Sequence, residues 1–513
     1  MTFNDQGEHS FHVGPPEDDA TPPSRGSMKW IGAAAAVVLV VALSVGGVAI
    51  AKVMGGGGAQ PEDVLPNSAI AFAKLDLNPS AGQKLAAFRL ASRFPTVKGN
   101  VTSQDTSIKE SLFGSIFTGN ASWGLDYKKD VEPWLGDRIG VGVFPDMGGD
   151  KKPEMALAIA FTDRSAAQAA LDKAIAHGGN KVETVGYAFA DGYVIVSDTA
   201  AHATALVSAG KVSPLALPAW STYGDDVRSL GSDQIGVAWV DVAASYKLLP
   251  QDQLLNSPLG QLKGTRDPKN ASGRLVIGLH ADPSYLELTG KAIDLKGAGS
   301  LTRDGVVNQA GLMATFPSDV FGAATATGLG KAAGGLYTGL VSGSDAMGVK
   351  PMLSAMGIDS AKEVETLLGS ETGVAVGGTI DQPEYAVRTR SDDPDTAYGL
   401  ARKVLDTAKN DIQGITVTKV TGPDGIVVGK GSGLIAAITS ASGSKLGSSD
   451  SFRQVVPDLD KANFVAYVNL AVLMPLLAKD NPKDAASLKP LNAVGLTAVG
   501  GVEPTVRLRL SFR

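Results

Sequence analysis

No cysteine occurs in the 513 residues. That removes disulfides, thiolate nucleophiles, lipobox acylation and cysteine metal sites together. Aromatic residues are scarce at 6%, which leaves little for base-stacking platforms. A basic balance is missing too: the formal net charge is -6 and the pI near 5.5, which speaks against a nucleic-acid partner. There is no Gly-x-Ser-x-Gly elbow, no phosphate loop ending in Gly-Lys-Ser/Thr and no His-Glu-x-x-His.

What is present begins with one apolar run, Ile31 to Ile50, in which Ser44 is the single polar residue. Twenty helical residues rise roughly 30 Å, the thickness of a bilayer's hydrocarbon layer. The run therefore predicts a transmembrane helix over 29–54. Residues 1–28 hold five acidic residues and two Pro-Pro pairs, which predicts a disordered tail. Arg25 and Lys29 before the run place that tail in the cytoplasm and the bulk of the chain outside it. Gly55 to Gly58 open a flexible tether over 55–61.

Beyond the tether the chain repeats itself. Val131 to Val143 aligns without gaps to Val364 to Val376, with seven of thirteen positions identical. Pro153-Glu154 matches Pro383-Glu384, and Val237-Ala-Trp-Val-Asp241 matches Val465-Ala-Tyr-Val-Asn469. Asn270-Ala271-x-Gly273 before Asp282-Pro283 matches Asn492-Ala493-x-Gly495 before Glu503-Pro504. The collinear order predicts two copies, 62–297 and 311–513, joined by a linker at 298–310. Alternating apolar residues mark strands, among them Tyr285 to Ile293 and Thr505 to Phe512, while Ser80 to Phe94 and Ser165 to His177 have helical spacing. The expected fold class is α+β: a disordered tail, one transmembrane helix, then two duplicated lobes of mainly antiparallel sheet with packed helices.

Candidate chemistry is thin. His9 and His12 fall in the tail, which leaves His177, His202 and His280, and none recurs in the other copy. Asp225-Asp226 and Asp392-Asp393-Pro394-Asp395 are acidic clusters without a calcium-loop pattern. Gly429-Lys-Gly-Ser-Gly433 imitates a phosphate loop without its spacing, and Asn120 and Asn270 open Asn-x-Ser sites, the second of them explained by turn chemistry. No catalytic, cofactor-binding or metal-binding residue is assigned, no cofactor is implied, and the chain is expected not to be an enzyme.

Leu65-Pro66-Asn67-Ser68, Leu75 to Phe94 with Arg89 and Arg93, and Trp134-Leu135-Gly136 carry a resemblance. Over about 28–513 the chain resembles a family of actinobacterial single-pass membrane proteins whose extracytoplasmic region is a domain of unknown function. The resemblance implies no catalytic residues. The reading is a cell-membrane protein, non-enzymatic, that binds or scaffolds in the cell envelope. Its partners would be the membrane through the anchor and an envelope protein, the cell wall or a lipid, with no nucleic acid. The alternatives are an amphiphile carrier with an apolar cavity and a hydrolase with an unrecognised site.

Overall fold

The computed structural model describes residues 58–91, 93, 124–146, 153–178, 185–216, 222–231, 233–248, 272–295, 311–342, 346–379, 381–407, 414–420, 425–440, 442–480 and 488–513. The first half contributes β1 (Ala71–Asp76), β2 (Leu135–Phe144), β3 (Glu154–Phe161), β4 (Gly186–Ala190), β5 (Tyr193–Ser197), β6 (Gly236–Asp241), β7 (Arg274–Ala281) and β8 (Tyr285–Ile293). The second contributes β9 (Gly322–Thr327), β10 (Glu371–Gly378), β11 (Pro383–Arg390), β12 (Ile415–Val420), β13 (Gly425–Lys430), β14 (Phe464–Val468), β15 (Leu491–Val499) and β16 (Thr505–Phe512).

Among the described residues the sixteen strands form one antiparallel sheet, in the order β12-β13-β11-β10-β9-β14-β15-β16-β8-β7-β6-β1-β2-β3-β5-β4. Counted outward from β8 and from β16, the two halves have the same strand order. The expectation of two separate lobes is thereby corrected. The last strand of each half pairs with the other, and their ladder welds the halves into a continuous sheet. A free β8 edge would leave a row of backbone donors and acceptors unpaired, and β16 supplies the matching row.

The expected membrane-spanning helix is the second correction. Among the described residues no helix is long and apolar enough to cross a membrane. The apolar run, the acidic tail, most of the tether and the linker all lie outside the described residues.

Side chains alternate between the faces of each strand, so the pairing registers assign every residue a face. On the first face Phe72, Trp239 and Val276 lie abreast and pack beneath α1 (Pro61–Val64), α4 (Ala200–Val212) and α5 (Tyr223–Arg228). The second half covers the same face with α8 (Ser432–Thr439) and α9 (Asp450–Val455), over Val465, Tyr467 and Ala375. On the opposite face α2 (Ala81–Ala91) and α3 (Arg164–Gly178) bury Leu75, Ile139 and Ile159. There α2 turns Ala86, Ala87 and Leu90 inward and leaves Leu85 exposed. In the second half α6 (Leu329–Ser342) packs on the helix Ala361–Leu368, and α7 (Pro394–Thr407) sets Ala397 and Ala401 against Ile426.

Register decides which sequence matches are structural. Trp239 stands between Phe72 and Val276, and Tyr467 stands between Ala323 and Gly495. Gly136, in β2, and Gly369, which ends the helix Ala361–Leu368 just before β10, are likewise pressed. A Cβ on Gly136 would lie 2.8 Å from the Ala160 carbonyl oxygen, and one on Gly369 2.0 Å from that of Arg390. Gly369 also has φ +68, a conformation that glycine adopts without a Cβ penalty. The hairpin match is the exception. Gly495 occupies the place of Val276 rather than of Gly273, and Pro504 already faces Ala292 while Pro283 sits in the β7–β8 turn.

Candidate functional site

The two halves meet where Thr289 of β8 stands directly opposite Arg507 of β16. On the same face Glu287 pairs with Arg509, and Lys291 with Thr505. Lys291 and Arg509 each sit two residues along the chain from that centre, in opposite directions, so the seam has an approximate two-fold axis through the Thr289–Arg507 pair. Contacts above the sheet follow the axis. Lys291 donates to the Ser229 carbonyl that caps α5, and Arg509 Nη1 donates to the Gln454 carbonyl in the last turn of α9 at 3.3 Å. A cation at a helix C-terminus is favoured by the exposed carbonyls there. Beneath the same helices Trp239 Nε1 donates to Asp226 at 2.7 Å, and Ser451 and Tyr467 hydroxyls meet at 3.1 Å.

Ion pairs complete this polar strip. Arg509 Nε lies 2.5 Å from Glu287 and its guanidinium 4.1 Å from the centre of the Tyr285 ring, and Arg507 bridges to Asp458. Thr289 Oγ1 donates to Glu287 at 2.9 Å. Burial raises the Tyr285 phenol above its usual range, with Arg509 opposing.

Away from the seam each half has its own buried charges. In the first, Asp226 is 3% exposed and accepts from Trp239 Nε1, from Arg274 Nε at 2.6 Å and from Arg274 Nη2 at 3.2 Å. Lys74 pairs with Glu62 at 2.5 Å, and Arg138 with Asp76 at 3.0 Å, with Gln60 bridging the two pairs. The second half uses a different pair, Glu371 with Arg390 at 2.9 Å. Burial pushes the Glu371 carboxyl up to about 7, and it pushes the neighbouring Arg388 guanidinium down to about 10.

The three histidines lie on separate elements and assemble no relay with serine. His202 Nδ1 is 2.6 Å from Asp198 and its Nε2 3.7 Å from Glu154, while Ser197 Oγ donates to the Met155 carbonyl at 2.8 Å and to Asp198 at 3.3 Å, so the serine meets the acid and not the imidazole. His280 Nδ1 faces the Asp233 carbonyl at 2.7 Å, and His177 is exposed near the end of α3. Asp225 is an exposed partner of Arg228. Asp393 caps α7, and hydrogen bonding from Thr396 holds its carboxyl below the usual range. Among the described residues no group of His, Asp and Glu could hold a metal ion. Asn120 and Asn270 lie outside the described residues.

The phosphate-loop imitation is a helix N-terminus already filled by a carboxylate. Gly433 N donates to Glu384 Oε1 at 3.3 Å, and Leu434 N donates to Oε2. Glu154, at the same place on β3, reaches the first turn of α4 through His202. The shared Pro-Glu pair was the sequence signal for both acids. Asp226 left a weaker one, hidden in an acidic doublet that reads as surface.

The opposite face of the seam is apolar. Leu279, Leu288, Leu508 and Leu496 lie abreast, beside the row Ile277, Gly290, Val506 and Ala498. Of these residues Leu279 is buried, the others keep part of their surface, and Val506 is 43% exposed. A Cβ on Gly290 would meet only Ile277 Cγ1 at 3.9 Å, so among the described residues nothing fills the space over Gly290. Leu336 and Leu340 of α6 are exposed as well.

Comparison with known proteins gives one result. A family model described as a protein of unknown function (DUF3352) matches residues 32–331, the first half together with β9. That span is shorter than the expected 28–513, and the description says nothing of source or of membrane topology. No curated protein and no solved structure matches the chain.

Proposed function

The chain belongs to the DUF3352 family of proteins of unknown function, and from that premise we propose a non-enzymatic binding or scaffold protein of the cell envelope, working outside the cytoplasm. One observation supports this reading above others. The polar side chains that the fold gathers are spent on framework contacts: Asp226 on Trp239 and Arg274, Glu384 on a helix end, Glu287 on Arg509. A reacting group needs a base or nucleophile free to meet substrate, and Ser197 is turned to a backbone carbonyl.

A second reading, amphiphile binding, is favoured by the open apolar surface over Gly290. The occupant that suits it is an acyl-chain amphiphile with an anionic head. Leucine, isoleucine and valine line the patch, and at the β7–β8 turn Arg93 donates to the Pro283 carbonyl, next to the Ser284 carbonyl that accepts from Phe512 N.

Extraction of the purified protein followed by mass spectrometry is expected to release an anionic acyl-chain lipid from the wild type. Gly290→Phe, which fills the open space, is expected to lose it while keeping the circular-dichroism spectrum. Extracts without lipid would remove the amphiphile reading. Turnover of model esters that disappears in His202→Ala would overturn the non-enzymatic reading. Protease added to intact protoplasts is expected to digest the protein, and protection would contradict a place outside the cytoplasm.

A further inference from the structure

The seam joins strands that are equivalent by position but different in chemistry. Replace β16 by a second β8 about the same axis, and the facing residues follow from the register. Glu287 would face Lys291 of the second copy, twice over. Thr289 would face Thr289, Leu288 would face Gly290, and Leu286 would face Ala292. Opposite charges and paired threonines across antiparallel strands are each favourable, and the glycine leaves room for the leucine. Replace β8 by a second β16 instead, and Arg507 faces Arg507 at the axis. Like charges directly opposite are destabilising. In the chain as it stands, Thr289 opposite Arg507 avoids that repulsion, and Asp458 takes up the arginine's charge.

We propose that β8 is a self-complementary edge, fitted to a second copy of itself, and that Arg507 holds its pairing to β16 by keeping two β16 strands apart. Two chains that open their seams and pair like strand with like close into a dimer only by forming both a β8–β8 and a β16–β16 ladder. The first ladder is favourable. Arg507 blocks the second, and so blocks that dimer.

The absence of cysteine makes this readable in the full chain. Wild type and Arg507→Thr, each carrying Thr289→Cys, are unfolded, refolded at high concentration under oxidising conditions and sized by light scattering. The wild type is expected to return as a monomer. Arg507→Thr is expected to give a several-fold larger dimer fraction, with a disulfide between position 289 of two chains. Arg507→Lys, which keeps the repulsion, is expected to behave as the wild type. Should Arg507→Thr not refold by circular dichroism, Arg507→Gln takes its place, since it retains a donor for Asp458. Equal dimer fractions in the wild type and the refolded neutral variant would overturn the proposal. So would dimers of the neutral variant that lack the 289–289 link.

Discussion

Asp226→Ala is expected to lower the unfolding free energy by about 3–5 kcal/mol, the range for removing one partner of a buried charge pair. The carboxylate is 3% exposed and accepts from two side chains, so its loss leaves the Trp239 N–H and the Arg274 guanidinium without their shared acceptor. Arg274 begins β7 and α5 carries the acid, so the damage falls where the first helical layer grips the sheet. Asp226→Asn keeps an acceptor oxygen for one of the two donors and is expected to lose less. Urea titration followed by tryptophan fluorescence reads both variants. An Asp226→Ala protein within about 0.5 kcal/mol of wild type, the range of ordinary surface substitutions, would show that this pair does not hold the layer.

Glu371→Gln is expected to remove a pH dependence. The carboxyl has an ordinary value of 4.5, and burial pushes it up to about 7 despite Arg390 and the Leu312 N–H. A value raised on folding means that the folded state holds its proton more tightly. Stability from this group is therefore full below about 4.5 and is lost as the pH climbs towards 7. Each unit corresponds to about 1.4 kcal/mol, so the whole window is worth about 3 kcal/mol. Relative to Glu371→Gln, wild type should lose that amount between pH 4.5 and 7 and change little above it. A difference between the two proteins that stays flat across the window would place Glu371 in contact with water.

Much of the strand layout was legible because β8 and β16 alternate polar and apolar residues over their full lengths. The repeat was legible too, since Gly136 and Gly369 are held by backbone contacts that tolerate no side chain. The joining of the halves was not. Pairing of β8 with β16 depends on chain segments more than two hundred residues apart, and no local pattern encodes it. The hairpin alignment misled because Gly273 precedes β7 with a positive φ, whereas Gly495 lies inside β15. At the candidate site the charges were visible as residue types. Their burial was not, because Glu371, Asp226 and Glu287 become core residues only through strands and helices distant in sequence.

The central claim, one sheet closed about the Thr289–Arg507 axis, is tested most directly by cysteine pairs in the cysteine-free chain. Leu288 lies directly opposite Leu508, on the apolar face, and Leu510 lies opposite Leu286. Directly opposed Cβ atoms in antiparallel strands lie about 4.5–5.5 Å apart and diagonal ones farther, so a disulfide favours the opposed pair. Leu288→Cys with Leu508→Cys is expected to close an intramolecular disulfide several-fold faster than Leu288→Cys with Leu510→Cys. Equal rates for the two pairs, or links formed only between chains, would contradict the seam and the single sheet it creates.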